Sequence, residues 1–69
     1  MQIKKTLNQL KASRRNLSLM LLAGMITNLK HIKYFVKDTE VIIRIDTLLT
    51  AIERLQSSIK ETTYESWSA

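Results

Sequence analysis

Histidine, cysteine and paired carboxylates carry much of protein chemistry, and this chain has one histidine, no cysteine and six acids. His31 lies between Leu29-Lys30 and Ile32-Lys33 with no carboxylate within a helical turn, so a base there would lack the group that orients it. A structural zinc site needs four Cys or His ligands, which the composition excludes. Asp38 and Glu40, two apart, suit the start of a helix better than a cation loop. The single glycine, Gly24, makes no phosphate-cradling loop. No catalytic, cofactor-binding or metal-ligating residue is expected, and the chain reads as a non-enzyme.

Charge is the stronger signal. Residues 1 to 37 hold Lys4, Lys5, Lys11, Arg14, Arg15, Lys30, Lys33 and Lys37 with no acid, a charge of +8. Residues 38 to 69 hold three cations against six acids, or −3, which recovers the net +5. Two antiparallel helices of opposite sign would attract each other, each surface pair contributing about 0–1 kcal/mol. Alternatively the basic half meets phosphate, with Lys4, Lys11 and Arg15 as candidate contacts on one side of a helix. No helix-turn-helix spacing, zinc ligand set or basic-zipper junction supplies a base-reading element.

The elements that must position these side chains are helices. With no proline and one glycine there are few forced turns, which disfavours a β architecture. Val41, Ile45, Leu48, Ile52, Leu55 and Ile59 recur at alternating steps of four and three, and this set is the expected hairpin or dimer core. Ile42 and Leu49 widen the stripe. The pattern predicts a helix over about 39–62, capped by Asp38 or Thr39, with Glu40 and Arg44 as an i,i+4 pair. In the first half Ile3, Leu7, Leu10, Leu17, Leu21 and Met25 share a face that also contains Arg14. Either the helix breaks near residues 12–16, or Arg14 meets a carboxylate across an interface. Residues 30 to 37 are rich in β-branched and aromatic side chains, and the first helix is expected to fray or end there before a turn at 37–39.

Residues 17 to 26, LSLMLLAGMI, are apolar nearly all the way round and need more cover than one short chain offers. Gly24, costly inside a helix, hints at the close approach of another backbone. The charge-free run between Arg15 and Lys30 is 14 residues, short of the roughly 18 to 20 that span a bilayer, so a peripheral amphipathic role is the only membrane reading kept. Absence of cysteine fits a reducing, cytoplasmic setting.

The fold expected is all-α: one domain over residues 1–69, a helical hairpin that dimerises into a four-helix bundle, with 63–69 as a loosely ordered tail. The function expected is that of a small regulator, adaptor or inhibitor docking helix surfaces onto a larger protein. Its size would suit a phage or plasmid modulator of a host protein. The expected partner surface comprises Leu19, Met20, Leu22, Met25 and Ile26, side chains that equally suit a dimer core, with Lys30, Lys33 and Lys37 steering the approach and Trp67 as a further anchor. A nucleic-acid-binding dimer and a peripheral membrane protein are the alternatives.

Overall fold

Two long helices lie antiparallel in the computed structural model, which describes residues 3 to 67. Helix α1 (Ile3–Phe35) has 33 residues and helix α2 (Thr39–Lys60) has 22; a single 3-10 turn, η1 (Tyr64–Trp67), follows. The turn between the helices is only residues 36–38, with no positive φ among the described residues, so it needs no glycine. Asp38 starts the second helix. Its backbone is extended, and its carboxylate accepts from the Val41 amide at 3.1 Å, satisfying a donor that the first turn leaves orphaned. Glu40 adds negative charge to the positive end of α2 and accepts from Arg44 at 2.9 Å.

Helix α1 is continuous through residues 12–16, so the expected break does not occur. Arg14 donates from its Nη1 to the Trp67 carbonyl at 3.2 Å, in part-buried surroundings at the foot of the hairpin.

The seam between the helices follows alternating steps of three and four. From α1 it takes Ala12, Arg15, Leu19, Leu22, Ile26, Leu29 and Lys33, and from the turn Val36, all half-buried. From α2 it takes half-buried Ile42 and Gln56 with buried Ile45, Leu49, Ile52 and Ile59. Repeats of this kind are the a and d positions of a heptad. Ile45, Ile52 and Ile59 therefore occupy the expected core, but Val41, Leu48 and Leu55 do not: they lie one position over, on its exposed edge. Leu10, Leu17, Leu21 and Met25, expected to face inward, are exposed as well. Leu19, Leu22 and Ile26, expected to project outward, are the ones that pack. Val41-Ile42 and Leu48-Leu49 are adjacent apolar pairs, so periodicity fits either register. Cross-helix polar contacts fit the one adopted, Lys33 reaching Asp46 at 2.6 Å and Arg15 reaching the last carbonyls of α2.

The result is a slab one helix thick, with principal extents of 56 × 18 × 15 Å. Its radius of gyration is 16.2 Å, where a compact domain of this length has about 11 Å. Among the described residues even the best-buried side chain, Ile52, keeps 5% of its surface exposed. Stable domains bury their apolar faces between two layers, and this chain supplies one.

Candidate functional site

Heptad geometry sorts the rest of the hairpin into two unlike sides. In an antiparallel pair the g positions of both helices flank the seam on one side and the e positions on the other. The g positions are Lys11, Ser18, Met25 and Ile32 of α1 with Val41, Leu48, Leu55 and Thr62 along and just beyond α2. The e positions are Gln9, Asn16, Ala23, Lys30 and Lys37 with Thr39, Asp46, Glu53 and Lys60. One side is polar and charged. The other is apolar over its middle.

Met25, Ile32, Val41, Leu48 and Leu55 are each between 39% and 49% exposed, so they grip the seam with part of the side chain and offer the rest to solvent. Leu21, next outward on α1 and 61% exposed, extends the same surface. The contacts of Arg15 with Ile59 and Lys33 with Asp46 fix the antiparallel register and set Leu21 level with Leu55. Polar groups nearby are turned inward. The Ser18 hydroxyl, at a g position, donates to the Arg14 carbonyl of its own helix at 2.9 Å. Leu10 and Leu17 continue the apolar surface around the back of α1, and Met20, 70% exposed, lies at its far edge.

At the foot of the hairpin the basic residues are engaged within the chain. Arg15 donates through Nε to the Ile59 carbonyl at 3.3 Å and through Nη2 to that of Lys60 at 2.8 Å, so a cation closes the negative end of α2. Lys11 pairs with Glu65 at 3.1 Å. The Trp67 indole N–H donates to the Thr62 hydroxyl at 2.8 Å, and that hydroxyl donates to the Ile59 carbonyl. Within residues 63–69, expected as a loosely ordered tail, η1 packs against α1, while 68 and 69 lie outside the described residues.

The expected partner surface is divided by this arrangement. Leu19, Leu22 and Ile26 are inside the hairpin; Met20 and Met25 are outside it; Lys33 is paired across the seam; Lys30 and Lys37 lie on the polar side. Trp67 is half-buried with its N–H engaged. Of the candidate phosphate contacts, Lys11 and Arg15 are held by Glu65 and by backbone carbonyls, and the side chain of Lys4 lies outside what the structure describes. What the sequence reading missed is the g-side surface. Its signal was present, since Val41, Leu48 and Leu55 repeat every seven residues beside a second apolar repeat at 42 and 49.

Among the described residues no group of three or more His, Cys, Asp or Glu could hold a metal ion, and no helix is long and apolar enough to cross a membrane. His31 is exposed. No protein-family model matches the chain, no curated protein is significantly similar to it, and no solved structure resembles it at that level.

Proposed function

We propose that this chain is a non-enzymatic helical interaction protein that acts by burying the g side of its hairpin against the helices of another protein surface. The observation that carries the reading is the contrast between the two sides of the slab. Met25, Ile32, Val41, Leu48 and Leu55 line one side and Lys30, Lys37, Asp46, Glu53 and Lys60 the other. Apolar residues at a, d and g together are the pattern of a helix packed in a bundle, whereas a lone helix pair needs a and d only. Exposing such a surface to water is unfavourable by about 25 cal/mol per Å², which association would recover.

The nucleic-acid reading loses ground on the same geometry, because Lys11, Arg15 and Lys33 are committed to partners inside the chain. Salt dependence separates the two. Apolar docking holds or strengthens as salt rises, and phosphate binding weakens steeply. The experiment is chemical cross-linking in nuclease-treated native extract with the wild-type chain, Leu48→Lys and the polar-side control Glu53→Lys. Loss of cross-linked species with Leu48→Lys alone supports the reading, and equal loss or retention in both variants contradicts it.

A further inference from the structure

We infer that the surface on the g side is an interface for a second copy of this chain, two hairpins stacking face to face into a four-helix bundle. The inference rests on the reading proposed above and names the occupant of the same surface. Three observations carry it.

The first is area. The chain exposes 5674 Å², whereas a folded monomer of 8.0 kDa exposes about 4,450 Å² by the usual scaling. The excess of about 1,200 Å² compares with the roughly 800 Å² that each partner loses in a standard interface. One contact between copies removes most of it. The second is shape. The slab is 15 Å thick, one helical layer, and a second identical layer completes the two-layer arrangement that single-core domains require.

The third is the electrostatics of the surface. An isologous contact sets each patch against itself, so any charge at its centre would face a like charge. Between Leu21 and Ile32 on α1 and between Val41 and Leu55 on α2 the g positions hold no charge. Arg44, at the position of α2 next outward from the surface, is paired with Glu40 at 2.9 Å. The polar side carries charge over its middle, Lys30 on α1 with Asp46 and Glu53 on α2, which a contact there would have to desolvate. Residue 24 points away from the seam, and a Cβ there would meet nothing of its own chain within 4 Å.

Sedimentation equilibrium from low micromolar to near-millimolar concentration tests this directly. The wild-type chain is expected at twice 8.0 kDa, and Leu48→Lys and Met25→Lys at 8.0 kDa with helical circular dichroism retained. Should the lysine variants unfold, Leu48→Gln is to weaken the dimer by at least tenfold while the polar-side variant Ala23→Lys leaves it unchanged. A wild-type mass of 8.0 kDa throughout, a mass above the dimer's, or a dimer indifferent to residues 25 and 48 overturns the inference. If the wild-type chain is monomeric yet Leu48→Lys still abolishes cross-linking in extract, the second copy fails as occupant and the broader reading survives; if neither responds, both fail.

Discussion

Replacing Arg15 by methionine keeps the aliphatic stem in the seam and deletes the guanidinium that closes α2. Two bonds are lost, one of 2.8 Å to the Lys60 carbonyl and one of 3.3 Å to that of Ile59. A hydrogen bond from a charged donor contributes about 1.5–3 kcal/mol when shielded, but the Lys60 end is exposed and the Ile59 bond is long. The helix-terminal charge adds about 0.3–1 kcal/mol. Together the expected loss is about 2 kcal/mol. A core this small supplies on the order of 3–5 kcal/mol, so the variant should retain only about 1–3 kcal/mol, leaving up to about 15% of it unfolded at ambient temperature. Urea titration followed by helical circular dichroism, with both proteins at one concentration, reads the difference. Arg15→Lys restores the charge without the fork, and should recover less than half. Amide exchange should accelerate first at residues 57–60. A loss below about 0.5 kcal/mol, within the range of an ordinary surface substitution, refutes the capping argument.

Three further outcomes follow from the same geometry. Ile52→Asp should abolish helical structure by placing an unpaired charge in the seam, whereas Leu48→Asp, at a site 47% exposed, should leave a folded hairpin; circular dichroism separates them. Gly24→Ala should raise stability by about 1 kcal/mol in a thermal melt, because an added Cβ meets nothing within 4 Å; a lowered melting temperature would place another backbone beside it. Asp46→Asn breaks a half-exposed pair with Lys33 and should lower stability by no more than about 1 kcal/mol in the same urea titration.

Much of the architecture is legible in the residues. Asp38 as a cap, the Glu40–Arg44 pair and a second helix beginning at Thr39 all follow from local rules, and the structure contains each. The oppositely charged halves do meet, through Lys33–Asp46 and Lys11–Glu65. The seam was harder to read. A helix with adjacent apolar residues at 41-42 and 48-49 satisfies two registers equally, and residues 17–26 satisfy nearly any, so the choice depends on long-range contacts. Arg15 shows the same limit. Periodicity puts Arg14 on the apolar face and leaves Arg15 outside it as a phosphate contact, whereas the seam takes Arg15, and the end of α2, brought alongside by the turn, supplies carbonyls for it. Gly24 illustrates the converse, since a residue that suggests a close approach has open space around it within its own chain.

The central claim is that the g side of the hairpin, and not its polar side, is covered by a second copy. Isotope-filtered NMR on a mixture of carbon-13-labelled and unlabelled chain observes that contact without perturbing it. The account predicts intermolecular Overhauser effects at the methyl groups of Met25, Ile32, Val41, Leu48 and Leu55, with none at Ala23. Intermolecular effects confined to Ala23 and the polar side, or none in a sample whose mass is 8.0 kDa, would contradict it.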